Sequence, residues 1–232
     1  MGLQDKNLQD KVVVVTGAFG QLGRAVVREV LAQGARAALL DVAGGDAPEG
    51  TRAWQVNLTS LPDTNRVLAE VAGHFGRVDA LVNVAGGFRW QTLEQSEDLA
   101  EFGALHAMNL QTCATACKAV LPHLQRTGSG RIVNIGAMGA VKGASGMGAY
   151  AASKAGVMRL TEALADELKL RDITVNAVLP SIIDTPQNRA DMPKSDFGRW
   201  VKAEEIARVI GFLLSDAAKA VTGALIPVTG KT

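Results

Sequence analysis

The chain has 232 residues, of which 24 are Lys or Arg and 23 are Asp or Glu, so its formal net charge is +1. This balance and an aromatic content of only 4% argue against a nucleic-acid-binding surface. No run approaches the roughly 18 consecutive apolar residues of a membrane span, which predicts a cytoplasmic protein that binds no membrane. No metal site is predicted, and Cys113 and Cys117 are expected to be buried packing residues.

Short apolar runs alternate along the chain with segments of helical spacing. The first strand, K-V-V-V-V-T at 11–16, is apolar nearly throughout, as expected for a strand buried on both faces of a parallel sheet. Further strands are predicted at 37–40, 54–56, 78–82, 131–135, 173–178 and 224–228, and helices at 21–33, 61–75, 97–124 with a break near Gly103, 149–170 and 203–215. The alternation predicts one α/β domain over 1–232, a doubly wound Rossmann domain whose parallel seven-stranded sheet has helices on both faces.

One stretch departs from this alternation. Between Asp41 and Trp54 the chain reads V-A-G-G-D-A-P-E-G-T-R-A, which is too rich in glycine and proline for a crossover helix. We therefore expect the second crossover helix of the domain to be shortened to a loop.

A glycine-rich turn joins the first strand to the first helix. It reads T-G-A-F-G-Q-L-G, and it has the strand-to-helix context that a dinucleotide-binding motif requires. Gly17 allows a tight turn, Gly20 lets the backbone approach a pyrophosphate, and Gly23 lets the helix pack closely on the strand. The helix N-terminus adds N–H groups and a partial positive charge for the phosphates. The other predicted contacts in this turn are Phe19, Gln21 and Leu22.

An acidic residue follows the second predicted strand, about 20 residues after the glycines. This residue, Asp41, is placed to accept hydrogen bonds from the adenosine ribose hydroxyls, and its carboxylate would repel the 2′-phosphate of NADP(H). Neither Phe19 nor Val42 is a cation that would neutralise such a phosphate. The sequence therefore predicts NAD(H) as the coenzyme in preference to NADP(H).

A tyrosine and a lysine lie four residues apart after the fifth predicted strand. Tyr150 and Lys154, in Y-A-A-S-K, share one helix face, so the phenol and the ammonium can approach each other. A cation about 4 Å from the phenol is worth at most about 4 kcal/mol at an effective dielectric constant of 20, or roughly three pKa units. We therefore expect Lys154 to lower the pKa of Tyr150, so that the phenol serves as a general acid.

Together with N-V-A-G at Asn83–Gly86, these motifs resemble those of the short-chain dehydrogenase/reductase family, over a length from about Lys11 to Thr229. By that resemblance Tyr150 donates a proton, Lys154 holds the nicotinamide ribose, and Asn109 anchors a water leading to Lys154. The other coenzyme contacts that it implies are Asn57 and Leu58 beside adenine, Asn83, Ala85 and Gly86 at the adenosine ribose, and Pro180, Ile183 and Thr185 at the carboxamide. It also implies a homodimer or homotetramer, for which we expect packing surfaces on the Cys113–Cys117 helix and on the small residues of the Tyr150 helix: Ala151, Ala155 and Gly156.

Two positions depart from the pattern of the family. The usual serine, thirteen residues before the tyrosine, is Ala137 here, and the usual middle glycine of the first motif is Gln21, with Gly20 one place earlier. The loss of one donor to a developing oxyanion typically lowers a rate about 100- to 1000-fold. Three alternatives follow: Ser145 supplies the hydroxyl, the substrate is already activated, or the protein is a regulatory NAD(H)-binding protein without chemistry.

Local motifs favour an activated substrate. The glycine-rich turn, G-A-M-G-A around Ala137, and L-P-S-I-I-D-T-P-Q-N-R-A-D-M-P resemble the dihydropteridine reductase branch, whose substrate is an electron-poor quinonoid dihydropterin. Phe88 and Trp90 would stack on such a flat ring or serve as ordinary loop anchors. The motifs Y-A-A-S-K and V-T-G-A-L-I-P-V-T-G instead resemble bacterial 3-oxoacyl reductases, so a 3-oxoacyl or general carbonyl substrate stays open. Residues 181–200 are predicted to form a lid over the small-molecule substrate.

Overall fold

The computed structural model describes residues 7–232, and within that range seven parallel strands form one sheet. The strands are β1 (Val12–Thr16), β2 (Arg36–Asp41), β3 (Thr51–Gln55), β4 (Ala80–Asn83), β5 (Ser129–Ile135), β6 (Asp172–Pro180) and β7 (Leu225–Val228). Their order in the sheet is β3-β2-β1-β4-β5-β6-β7, and every neighbouring pair is parallel. The strand order reverses between β1 and β4, which opens a crevice at the carboxyl ends of these strands. The predicted doubly wound α/β fold is confirmed.

Helices cover both faces of this sheet. They are α1 (Gln21–Ala32), α2 (Leu61–Phe75), α3 (Ala100–Leu105), α4 (Thr112–Thr127), α5 (Gly148–Leu168), α6 (Pro186–Asp191) and α7 (Ala203–Leu214). Apolar residues of α1 and α7 pack on one face, and those of α2, α4 and α5 pack on the other. The valines at 12–15 are fully buried between the two layers, which explains why β1 is apolar. Within residues 7–232 no helix is long and apolar enough to cross a bilayer.

The connection from β2 to β3 contains no helix. Residues 42–50 form an irregular loop, as the glycine and proline content predicts. Strand β3 begins at Thr51, three residues before the predicted start, because the whole of 51–55 pairs with β2 in parallel register from Ala37 to Asp41. The expected loss of the second crossover helix is confirmed.

The prediction of a helix over 97–124 is wrong about where the helix begins and about where its break lies. Helix α3 begins at Ala100, and Gly103 lies inside it. The irregularity falls instead at His106–Gln111, a π-helical turn that continues directly into α4. A π turn inserts one residue into the helical repeat and thereby changes the direction of the side chains, and such turns are frequent at functional sites.

The cysteines and small residues of the predicted packing helices differ in their exposure. Cys113 and Cys117 are buried and unpaired on α4, which confirms their predicted packing role. On α5, Ala151 is buried, and a Cβ on Gly156 would lie 2.6 Å from a methyl carbon of Leu110. Ala155 and Gly156 are partly exposed, so the predicted packing surface on the Tyr150 helix stays a prediction.

Candidate active site

The glycine-rich turn between β1 and α1 lies at the crevice. Gly17 has a φ of +60°, and a Cβ there would come within 2.7 Å of the backbone nitrogen of Ala85. A Cβ on Gly23 would collide with the carbonyl oxygen of Gly17. Gly20 is the N-cap of α1, and the exposed residue Gln21 is the first residue of this helix. Over residues 7–232 no side chain caps α1, and its first turn contains no acidic residue. The first-turn N–H groups are therefore free to meet an anion.

Asp41 occupies the last position of β2 and faces the glycine-rich turn. One of its carboxylate oxygens accepts from the backbone nitrogen of Phe19 at 3.1 Å, and the other accepts from that of Ala43 at 3.1 Å. The loop 42–50 folds over the Phe19 ring, where a Cβ on Gly45 would lie 2.6 Å from a ring carbon. A half-buried carboxylate thus stands beside the turn, where the sequence predicts contact with ribose hydroxyls.

Three residues predicted to contact the coenzyme turn their side chains into the core. Leu22 and Leu58 are buried in the two apolar layers that flank the sheet. Asn83 is also buried, and its amide nitrogen donates to Asn134 Oδ1 at 2.9 Å. Coenzyme contacts at these three positions stay predictions, and they would be made by main-chain groups because the side chains are buried. Asn57, by contrast, is exposed at the end of β3.

A threonine that the sequence analysis did not single out joins the two loops at the crevice. Thr16 Oγ1, at the carboxyl end of β1, accepts from the backbone nitrogens of Val84 and Ala85, each at 3.1 Å. These bonds hold Ala85 against Gly17 and fix the loop after β4 beside the glycine-rich turn. The available signal in the sequence was a hydroxyl residue at the end of an otherwise apolar strand.

The first turns of α5 carry Tyr150 and Lys154. Lys154 is 6% exposed, and its ammonium donates to the carbonyl oxygen of Ile135 at 2.8 Å. Burial lowers the pKa of Lys154 to about 8. Burial also raises the pKa of Tyr150 to about 12, which is opposite to the predicted direction. The reason is that desolvation disfavours the charged phenolate of Tyr150. The Lys154 ammonium, which is expected to lower this pKa, donates instead to a main-chain carbonyl.

The π-helical turn places Asn109 beside this pair with only 1% of its surface exposed. Its Oδ1 accepts from the backbone nitrogen of Gly87 at 2.8 Å, and its Nδ2 donates to the Gly87 carbonyl at 3.1 Å and to Ser153 Oγ at 2.9 Å. A Cβ on Gly86 would lie 2.6 Å from Asn109 Oδ1 and 3.3 Å from Lys154 Nζ. Both amide hydrogens are therefore engaged, so a water leading to Lys154 can bind only to an oxygen of Asn109. Sequence reasoning missed Gly87 and Ser153.

The position of the family's serine is apolar. Ala137 is buried and packs with Met158 and the partly buried Tyr150 in a small apolar cluster. Ser145 lies in the exposed loop before α5, and within residues 7–232 its hydroxyl makes no hydrogen bond. Its carbonyl oxygen, however, accepts from Trp90 Nε1 at 3.1 Å. The structure thus brings the main chain of Ser145, and not its hydroxyl, into the hydrogen bonds around the site.

The two aromatic residues after β4 differ in their surroundings. The Phe88 ring is half exposed and meets the Tyr150 ring edge to face, with 4.9 Å between the ring centroids. Trp90 lies against Gly146, where a Cβ would collide with the indole, and it also donates to the Ser145 carbonyl. Phe88 is therefore placed to form a wall beside the phenol, whereas Trp90 anchors the loop before α5.

The predicted lid, 181–200, follows β6 directly. Pro180 ends β6, Ile183 forms an isolated parallel bridge with Val201, and Thr185 caps the short helix α6. The three residues predicted to fix the carboxamide thus lie in succession at the start of the lid. The bridge joins this start to the far end of the segment, so that α6 is held between two anchored ends.

Comparison with known proteins gives consistent matches over nearly the whole chain. The family model described as short chain dehydrogenase matches residues 11–196. A 3-oxoacyl-[acyl-carrier-protein] reductase of Pseudomonas aeruginosa is 35% identical over 243 residues, which cover 97% of this chain and 98% of that protein. An NAD-dependent glycerol dehydrogenase of Listeria innocua is 34% identical, over 98% of this chain and 95% of that protein.

Solved structures match the fold as closely. A ligand-free aldohexose dehydrogenase of Thermoplasma acidophilum has a TM-score of 0.89 at 28% identity, over 97% of this chain and 95% of that chain. An NAD+-bound xylitol dehydrogenase has a TM-score of 0.88 at 26% identity, over 96% of this chain and 99% of that chain. The family match, these relatives and the crevice agree: the chain belongs to the short-chain dehydrogenase/reductase family, whose members are oxidoreductases that use nicotinamide coenzymes.

Proposed function

We propose that the protein is an NADH-dependent reductase that transfers hydride to a small conjugated or carbonyl substrate, with Tyr150 as the general acid. The observation that carries the proposal is the cluster of Tyr150, Lys154 and Asn109 at one end of the crevice. Lys154 and Asn109 are buried there, and because Gly86 has no side chain, the backbone after β4 packs directly against both of them. A proton donor and a cation side by side at the carboxyl ends of the strands are what a hydride-transfer site needs.

The residues of the crevice fit a dinucleotide. Gly17 and Gly23 let the glycine-rich turn pack closely against the loop after β4 and against itself, and the N-terminus of α1 favours the negative charge of a pyrophosphate. The Asp41 carboxylate lies beside that turn, where it would accept from ribose hydroxyls and repel a 2′-phosphate. These two features support NAD(H) over NADP(H). When bound, the coenzyme supplies or accepts the hydride at its nicotinamide ring.

Tyr150 suits the role of a proton donor. Because burial raises its pKa to about 12, the phenol is protonated at neutral pH and can donate as charge develops on the substrate. Lys154, with a pKa of about 8, is charged at neutral pH and stabilises a neighbouring phenolate once the proton has left. Reduction needs the protonated phenol and oxidation needs the phenolate, so the arrangement favours reduction.

An electron-poor conjugated substrate fits the apolar side of the site. Ala137 offers no hydroxyl to polarise a carbonyl, so an already activated substrate loses least from its presence. Phe88 adds a half-exposed ring beside the phenol, against which a flat ring could pack. A quinonoid dihydropterin is the candidate that we favour on these two grounds.

A 3-oxoacyl or general carbonyl substrate is the second candidate. The observation that favours it is the 35% identity, over almost the full length of both chains, to the Pseudomonas aeruginosa reductase of that name. In this case a hydroxyl would have to reach the carbonyl from elsewhere, and Ser145 in the exposed loop before α5 is the residue that the sequence offers. Ser145→Ala would then lower turnover by about 100-fold.

A substrate panel tests the proposal. Purified protein is assayed for oxidation of NADH and of NADPH with a quinonoid dihydropterin, a 3-oxoacyl thioester and simple quinones. We expect the highest kcat/KM with NADH and the dihydropterin. Higher kcat/KM with the thioester would establish the second candidate. Coenzyme binding without turnover of any substrate would contradict both and leave the regulatory NAD(H)-binding protein.

A further inference from the structure

Ser153 lies on α5 between Tyr150 and Lys154 and is only 4% exposed. Its hydroxyl donates to the carbonyl oxygen of Tyr150 at 2.8 Å and accepts from Asn109 Nδ2 at 2.9 Å. An amide nitrogen can only donate, so the directions of both bonds are fixed. Ser153 thereby joins the first turn of α5 to the π-helical turn that carries Asn109.

The amide of Asn109 has only one orientation that satisfies its neighbours. The backbone nitrogen of Gly87 must donate, and it lies 2.8 Å from Oδ1, so the oxygen faces Gly87. The two hydrogens on Nδ2 then go to the Gly87 carbonyl and to Ser153 Oγ. Without the Ser153 hydroxyl, one hydrogen of an almost fully buried amide would lose its acceptor, which is an unfavourable state.

We propose that Ser153 is a positioning residue of the reductase site, a proposal that rests on the function proposed above. By completing the hydrogen bonds of Asn109, it fixes the distance between the Tyr150 turn and the backbone at Gly86–Gly87. That backbone borders Lys154, because a Cβ on Gly86 would meet both Asn109 Oδ1 and Lys154 Nζ. Ser153 acts through Asn109 and the Tyr150 main chain and donates nothing to a reacting atom.

The same helix offers a matched control about two turns away. Thr161 is fully buried, its hydroxyl donates to the Val157 carbonyl at 2.8 Å, and it accepts from Asn134 Nδ2 at 2.9 Å. Its pair of bonds is thus of the same kind as that of Ser153. Asn134 lies on β5 in the core, and the bonds of Thr161 touch neither Tyr150 nor Lys154. Thr161→Val therefore removes a comparable hydroxyl whose hydrogen bonds do not reach Tyr150, Lys154 or Asn109.

The experiment compares Ser153→Ala, Ser153→Thr and Thr161→Val with the wild-type chain. Three quantities are measured: the thermal midpoint, kcat and KM for NADH with the best substrate, and the ionisation of Tyr150. Tyr150 is the only tyrosine in the chain, so tyrosinate absorbance reports this residue alone. The fast phase after a jump to alkaline pH records the ionisation before the protein unfolds.

We expect both hydroxyl deletions to lower the thermal midpoint by several degrees. Only Ser153→Ala should lower kcat, by about tenfold with KM for NADH changed less than threefold, because a misplaced acid affects the chemical step more than coenzyme binding. Its tyrosinate midpoint should fall from about 12 toward the ordinary value of 10, since a looser first turn admits water. Ser153→Thr keeps the hydroxyl and should therefore restore both kcat and the tyrosinate midpoint.

Equal kcat in Ser153→Ala and Thr161→Val, with an unchanged tyrosinate midpoint, would overturn the proposal and make Ser153 a purely structural residue. If the wild-type chain turns over no substrate, the proposed function is refuted independently of the role of Ser153. The tyrosinate midpoint still tests the positioning in that case, because it needs no turnover. A fall in midpoint confined to Ser153→Ala would then support the hydrogen-bond linkage alone, and equal midpoints would refute it.

Discussion

The two ends of the crevice differ in the groups that line them, which are mostly main chain at one end and side chains at the other. At the adenosine end, the groups that face the crevice are main-chain N–H groups and one half-buried carboxylate, Asp41, and two glycines let the backbone segments pack closely. At the reaction end, the groups are the phenol of Tyr150 and the buried side chains of Lys154 and Asn109, which are held by hydrogen bonds to main chain and to Ser153. The first end works through closely packed main chain, and the second works by removing polar side chains from water.

This difference has an energetic consequence. At the reaction end, burial shifts the pKa of Lys154 down and that of Tyr150 up. At neutral pH the buried Lys154 ammonium therefore destabilises the folded chain, as groups at functional sites commonly do. Replacement of Lys154 should change activity and stability in opposite directions, and substitutions at the adenosine end should change selectivity.

Tyr150→Phe should produce the largest effect. Removal of the hydroxyl eliminates the proposed general acid and should lower kcat by about 1000-fold, which is about 4 kcal/mol of transition-state stabilisation. The phenyl ring keeps its contact with Phe88, so the affinity for NADH should stay within threefold. Stopped-flow turnover and coenzyme fluorescence titration measure the two quantities. A loss of less than tenfold would assign the proton to another group.

Lys154→Met should stabilise the chain at pH 7 while it abolishes turnover. The pKa of Lys154 is about 8 in the folded chain against an ordinary value of 10.5, so between these values the unfolded chain binds the extra proton and stability rises with pH. Across the pH range between these two pKa values, the free energy of unfolding should rise by at most about 3 kcal/mol. Urea unfolding at pH 7 and pH 9.5 should show a gain for the methionine variant that shrinks at the higher pH. A variant less stable than wild type at pH 7 would mean that the ammonium is well compensated.

Asp41→Asn should change coenzyme selectivity without a comparable loss of turnover. The carboxylate repels a 2′-phosphate by roughly 3 kcal/mol at a separation of about 5 Å and an effective dielectric constant of 20. Removal of the charge should therefore raise the NADPH-to-NADH ratio of kcat/KM by up to about 100-fold, with kcat for NADH nearly unchanged. A ratio that moves less than threefold would show that Asp41 only holds the loop through Phe19 and Ala43.

Sequence patterns predicted the parts of the molecule that depend on periodicity and on glycine. The apolar run of β1, the glycine-rich turn and the missing second crossover helix all have local causes that are visible in the printed chain. Asp41 could be placed for the same reason, because the end of a strand is a local feature. The confirmed fold and the predicted adenosine end belong to this class.

The reaction end depended on packing that no local pattern records. The π turn at His106–Gln111 has ordinary helical periodicity around it, so the sequence favours a break at Gly103 instead. The pKa of Tyr150 depends on burial and on which acceptor the Lys154 ammonium finds, and spacing on a helix gives neither. The family resemblance implies Asn83 at the adenosine ribose, but it does not show that the Asn83 side chain donates to Asn134 inside the sheet.

Ala137→Ser should have the smallest effect and should separate the two candidate substrates. The new hydroxyl would stand in the small apolar cluster beside Tyr150, where it can donate to a developing oxyanion. For a 3-oxoacyl thioester or a simple ketone we expect kcat/KM to rise about tenfold, because one donor is gained at the reacting oxygen. For a quinonoid dihydropterin the change should stay within twofold, since its conjugated ring already stabilises the added electrons. Parallel assays with both substrates measure the difference. An equal rise for both would mean that the reaction end polarises every substrate in the same way, and that Ala137 carries no preference for an activated one.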